Sequence, residues 1–148
     1  MRGDGRGGFL PVTPTESGLI IDGEGRGVAV ADLDHDGRPD LVAAQNRGAT
    51  RVFLNRQGRP SLRLRVQGVA ANPAAIGASV RPVFETGRMG PRQEWHAGSG
   101  YWSQDAAELL VPLAHTPKAF EVRWPGGKTS IHAVEAGKTE LLLVQPGP

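Results

Sequence analysis

No cysteine occurs in the 148 residues, which excludes disulfides, thiolate metal sites and cysteine nucleophiles. Large rings are scarce: four phenylalanines, three tryptophans and one tyrosine are all that is on hand to fill a core. No apolar run approaches the roughly twenty residues of a membrane-spanning helix, so no membrane insertion is expected. The opening MRGDGRGGFLPV also lacks the apolar stretch of a secretory signal. Neither sign of charge dominates, with 17 Lys and Arg against 15 Asp and Glu. The arginines are dispersed instead of gathered in runs, and no nucleic-acid partner is indicated.

What the chain does contain is 21 glycines and 12 prolines, about a fifth of its length, which break helices. Short valine, leucine and isoleucine runs recur between them, the pattern of an all-β protein with many turns. Residues 1–8, glycine and arginine without an apolar anchor, are expected to be a disordered tail. Their Arg2-Gly3-Asp4 tripeptide reads as a chance match of a glycine-rich stretch to an adhesion motif. FLPVT (9–13), GLII (18–21), RGVAVA (26–31), LVAAQ (41–45) and TRVFLN (50–55) predict an antiparallel unit of about four strands within residues 9–57, the size of a propeller blade. RQGRP (56–60) is a polar turn and the expected boundary.

From residue 61 to 146 the strands lengthen. LRLRV (62–66) alternates leucine or valine with arginine, predicting a half-buried strand with one wet face. IGASVRPVF (76–84), RQEWHA (92–97), ELLVPL (108–113), AFEVRW (119–124), SIHAV (130–134) and TELLLV (139–144) follow at sandwich or barrel spacing. A compact β-sandwich-like domain of about seven strands is expected, with SQDAAELL the one segment able to make a helical turn.

Between RGVAVA and LVAAQ lies DLDHDGRPDL (32–41). Asp32, Asp34, Asp36 and Asp40 take positions one, three, five and nine, and Gly37 takes position six. Alternate carboxylates converge from a tight curl, glycine supplies the positive φ that continues it, and the Arg38 carbonyl can turn inward as a further oxygen. Hard oxygen ligands in this number suit Ca2+ and not zinc. An EF-hand would require a bidentate glutamate at position twelve, which is Ala43, and helical flanks where strands are predicted. So crowded a set of carboxylates is expected to sit together only around a cation, coupling binding to folding.

The stretch GEGRGVAVADLDHDGRPDLVAAQNRGATRVFLNR resembles the FG-GAP or VCBS-type repeat of integrin-like β-propellers. The resemblance implies calcium held by Asp32, Asp34, Asp36, the Arg38 carbonyl and Asp40. Residues NPAAIGASVRPVF (72–84), GSGYWSQD (98–105) and FEVRWPGGKTSIHAVEAGKTELLLV (120–144) resemble the ASPIC/UnbV domain of the cartilage acidic protein-like family. ELLVPLAH (108–115) departs from the His-Phe-Gly-Leu-Gly-like segment of such relatives. One calcium loop cannot close a propeller of four to eight blades. Either the chain is the terminal piece of a longer protein, or its edges are covered by the β domain or by another copy.

Other candidates weigh less. His96 and Ser99 in EWHAGSGYWSQD lack a nucleophile elbow, and the segment reads as a structural turn with Tyr101 and Ser103 tying a loop down. Trp95, Trp102 and Trp124 could form a sugar platform, but core packing is favoured, with at least one of them deeply buried. His35, His96, His115 and His132 form no metal pattern, and His35 should face water. Glu24 and Arg26 read as a surface ion pair, and PGGK (125–128) as a hairpin turn. The composite expectation is a non-enzymatic, calcium-binding extracellular or cell-surface module for adhesion, matrix contact or assembly. Its partner would be a protein, a glycan or further copies of itself. The alternatives are a homopolymer subunit of a surface fibre and an accessory or tailoring enzyme domain. A cavity with convergent polar groups between Trp95 and Asp105 would favour the enzyme.

Overall fold

The structure, a computed structural model, describes residues 1–112 and 116–147. Leu113, the end of one expected strand, and His115 lie outside them. Among the described residues twelve short strands and one four-residue helix make four sheets, so the all-β expectation holds. No described helix is long and apolar enough to cross a membrane.

The amino-terminal residues are not a structureless tail. Strand β1 (Arg2–Gly3) pairs antiparallel with β2 (Phe9–Leu10). Asp4 closes the hairpin by accepting hydrogen bonds from the amides of Arg6 (2.8 Å) and Gly8 (2.9 Å), so the carboxylate of the Arg-Gly-Asp match is engaged in its own turn.

PTES is helix α1 (Pro14–Ser17), not a gap between strands. Thr13 caps it, Glu16 reaches back to the Thr13 amide, Pro14 opens it and Gly18 closes it at φ 70°. Leu19, Ile20 and Ile21 follow as exposed chain with no ladder partner. The blade is consequently three-stranded, with β3 (Glu24–Ala31), β4 (Asp40–Asn46) and β5 (Arg51–Phe53) as an antiparallel meander.

The second unit is a two-layer sandwich. One layer is ordered β12 (Glu140–Val144), β6 (Ser61–Gln67), β9 (Leu109–Pro112). The other is ordered β11 (Thr129–Ala133), β10 (Ala119–Arg123), β7 (Ser79–Val83), β8 (Gln93–Glu94). The seven-strand count holds, with β12 parallel to β6 and every other pairing antiparallel. Alternation sends Leu62 and Leu64 of β6 inward, where they join Leu143, Val80, Phe120, Val122 and Trp124 in one buried cluster. PGGK is the hairpin turn between β10 and β11, closed by the Trp124 amide on the Lys128 carbonyl at 2.8 Å. SQDAAELL makes no helical turn; it runs as irregular chain into β9.

Among the contacts that fasten blade to sandwich, those made to the blade's backbone fall at two places. The β3 edge is capped at Val30, whose amide donates to the Asp105 carboxylate at 2.7 Å and whose carbonyl accepts from the Ala106 amide at 2.9 Å. In the turn that follows β3 the Ser61 amide, first in β6, donates to the Gly37 carbonyl at 2.7 Å. The sandwich therefore covers part of the blade's edge, one of the alternatives left open by a single blade.

Candidate metal centre

The strand-to-strand turn 32–40 brings carboxylate oxygens of Asp32, Asp34 and Asp40 within 4.8 Å of one another. Asp32 ends the run begun by β3, Asp40 opens β4, and the antiparallel pairing of Ala31 with Asp40 holds the two ends of the turn together. Gly37 stands at φ 82°, and a Cβ there would come within 3.3 Å of Pro60, so both the curl and the approach of the second unit favour glycine. His35 also adopts positive φ, at 60°, and is exposed as expected.

Asp36 stands outside the trio. Both its oxygens are taken by Arg38, through the amide at 2.9 Å and the guanidinium at 2.6 Å. Partial burial works against its charge, but the Arg38 hydrogen bonds prevail and hold the carboxyl below its usual range. Arg38 Nε also donates to the Gly58 carbonyl, and none of these bonds involves the Arg38 carbonyl, the atom expected to face the metal.

The turn carries its own counter-charges, which the sequence reading missed. Arg63 pairs with Asp32, Arg56 with Asp34 at 2.8 Å, and Arg38 with Asp36. Asp40, fully buried, accepts instead from the amides of Leu33 (2.9 Å) and Asn55 (2.7 Å). The expectation that these carboxylates can gather only around a cation is corrected: three guanidiniums and the amides of Leu33, Gly37, Arg38 and Asn55 already compensate them.

One atom is left over. Asp32 is buried, its Oδ2 accepts from the Gly37 amide (3.0 Å) and from Arg63, and its Oδ1 is buried without a partner. A buried carboxylate oxygen with no donor is costly. A hard divalent cation is the species that an oxygen-only donor set of this kind accommodates. Asp32, Asp34 and Asp40 are the residues that would hold it.

The remaining candidates scatter. Trp95 and Trp124 are core residues, whereas Trp102 is 87% exposed, so no three-ring platform exists. Trp124 donates Nε1 to Ser130 Oγ (2.7 Å), which lies 2.8 Å from His132 Nε2; burial lowers the His132 pKa. Tyr101 does not tie its loop down: it is exposed and stacks on Trp102 at 5.8 Å. Ser103 does hold the loop, its carbonyl accepting from the Gly100 amide at 3.3 Å, and Ser99 adds a side-chain tie, its Oγ accepting from the Asp105 amide at 2.6 Å. Among the described residues no hydrogen bond joins Ser99 to His96. Both nonetheless line a cavity of about 430 Å³ at the junction of the two units, together with Trp95, Gln104, Asp105 and Glu108. Glu24 and Arg26 form the expected exposed pair at 3.1 Å.

Comparison with known proteins places both units. A model of the ASPIC and UnbV family matches residues 68–148, and a model of the FG-GAP-like repeat matches residues 1–43, which contain the aspartate turn. Cartilage acidic protein 1 of Xenopus tropicalis is 32% identical over 133 residues, covering 82% of this chain and 20% of that protein. The chain therefore spans about a fifth of the length of the curated relative it matches. Strand β6 precedes the family match yet completes the sandwich.

Proposed function

The chain belongs to the ASPIC and UnbV family, with an FG-GAP-like repeat ahead of it, and on that premise we propose that it is a non-enzymatic module of the cell exterior whose repeat binds calcium. The partnerless, buried Oδ1 of Asp32 beside Asp34 and Asp40 carries this reading. The metal's work is structural. It adds a double positive charge to a turn whose own arginines supply compensation from outside, and it stiffens the link between β3 and β4. Adhesion, matrix contact or assembly, with a protein or glycan partner, is the role that the likeness to a cartilage acidic protein supports. Open pairing positions along β5, the outer strand of the blade, leave self-association as a further mode.

Thermal unfolding tests it. Calcium at a hundredfold over its dissociation constant stabilises by about 2.7 kcal/mol, chelator removes that increment, and Asp34→Asn abolishes it. An unchanged melt in excess chelator, with no metal by elemental analysis, refutes the reading.

A second reading draws on the junction cavity, where His96, Ser99, Asp105 and Glu108 meet around Trp95. It makes the chain an accessory or tailoring enzyme domain. A nucleophile and base ought to stand within about 3.2 Å, and the Asp105 amide donating to Ser99 Oγ at 2.6 Å supports a tethering hydroxyl instead. Saturable binding of a small metabolite displaced by His96→Ala would favour the enzyme.

A further inference from the structure

Strand β6 was expected to turn its arginines to water. At Arg63 it does not: the side chain is 15% exposed and lies under the aspartate turn of the blade. The residue belongs to the central strand of its sheet, with Leu110 of β9 and Glu140 of β12 as its ladder neighbours. Its guanidinium reaches across to Asp32 Oδ2, and the nearest carboxylates of its own unit are Glu108 at 3.4 Å and Glu140 at 3.9 Å. Those acids also pair with Arg65, at 3.4 and 3.2 Å. Arg63 is thus flanked on the sandwich side by two glutamates at ion-pair distance, with its Nε buried and hydrogen-bonded to neither, and among the described residues its one side-chain hydrogen bond goes to a buried carboxylate of the other unit. Two residues earlier, the Ser61 amide bonds the Gly37 carbonyl, and the Gly37 amide donates to the same Asp32 oxygen that Arg63 holds.

We propose that Arg63 is the positioning residue through which cation occupancy of the aspartate turn strengthens docking of the sandwich on the blade. The inference rests on the calcium reading above. Asp32 is divided between two duties. Oδ2 faces the guanidinium and the Gly37 amide, while Oδ1 is the atom left for a metal. A metal on Oδ1 fixes the carboxylate plane and hence the position of Oδ2. Arg63 meets Oδ2 through one nitrogen of a planar guanidinium fork whose other nitrogens lie against Glu108 and Glu140, so a shift of Oδ2 is passed to all three contacts in a way a point charge would not convey. Occupancy and docking then stabilise one another, as linkage requires.

Calcium affinity alone is a poor reporter. Removing the guanidinium relieves a repulsion on the incoming cation at the same time as it frees Asp32 to move. Transmission to the far layer of the sandwich is the distinguishing readout. The experiment is hydrogen exchange by mass spectrometry on the full chain, with calcium or chelator, following peptides of β10, which belongs to the layer without Arg63. Calorimetry records calcium uptake in parallel. In the unaltered chain calcium slows β10 exchange about 5- to 150-fold, the usual range of coupling between sites. In Arg63→Met it still slows exchange in β3 and β4 but leaves β10 unchanged. Arg63→Lys, which keeps the charge and loses the fork, gives an intermediate factor and serves alone if the methionine variant does not fold. Slowing of β10 in Arg63→Met equal to that of the unaltered chain overturns the inference, as does a lysine variant indistinguishable from the unaltered chain. Absence of calcium uptake by the unaltered chain overturns the metal reading and this inference together, so the two failures are told apart.

Discussion

The Asp105 carboxylate accepts the amide of Val30 at 2.7 Å across seventy-five positions of sequence, as a strand neighbour's carbonyl would. A side chain of the sandwich thereby finishes the ladder at the edge of the blade, and the Ala106 amide on the Val30 carbonyl supplies the complementary bond. Asp105→Ala leaves a part-buried amide unpartnered, at a cost of about 1–3 kcal/mol. Asp105→Asn keeps an acceptor and costs less. Urea unfolding of the two variants against the unaltered chain measures the difference.

Arg56 pairs with Asp34, one of the residues proposed to hold the cation, so the two would compete for it. The Arg56 side chain is 66% exposed, so its ion pair is worth about 0–1 kcal/mol. Arg56→Ala is therefore expected to tighten calcium binding by up to about fivefold in calorimetry, with metal-free stability changed little. Weaker binding in this variant would assign Arg56 to support of the turn.

His132 sets a pH dependence. Burial disfavours its charged form, so the folded pKa lies below the ordinary value of about 6.5. Above that value both states are neutral at this position and its contribution is full. As pH falls from about 6.5 through the folded value, the unfolded chain takes up a proton that the folded chain resists, and stability declines. His132→Gln removes this slope while Trp124 keeps Ser130 as acceptor. Denaturation curves across the window, compared between the two proteins, give the answer.

Gly68 packs against the turn that follows β6. A Cβ there would stand 2.1 Å from the Asn72 carbonyl oxygen, a backbone atom pinned because the Asn72 side chain bonds both the amide and the carbonyl of Ile76. Gly68→Ala is expected to destabilise by about 1–3 kcal/mol, the usual range for overpacking, read as a lowered melting midpoint.

Local regularities carried most of what the sequence disclosed. The Leu-Arg alternation of 62–66 specified which side of β6 is buried, and the spacing of Asp32, Asp34 and Asp40 specified the carboxylate trio. The Thr13-to-Glu16 capping box is equally legible in the sequence and marks a helix start, which leaves GLII outside the blade's strands, contrary to the extended expectation. What stayed hidden depends on docking. Asp36 follows the same alternation as its neighbours, yet Arg38 two positions on captures it. Arg63 lies thirty-one residues from Asp32, and nothing in a strand's periodicity names the partner across an interface. The parallel pairing of β6 with β12 is silent for the same reason, since alternation fixes faces and not neighbours.

That parallel pairing decides where fusions can go. β6 starts at Ser61 beside Gly37 and climbs away from it, and β12 climbs alongside, with Val144 level with Gln67 and the Gln145 amide bonded to the Gln67 carbonyl. Six steps at about 3.3 Å each put the exit of β12 about 20 Å along the strand from the pole where β6 begins. A fluorophore, affinity handle or surface tether appended there points away from the aspartate turn, which leaves that pole clear for titration or imaging on an immobilised sample.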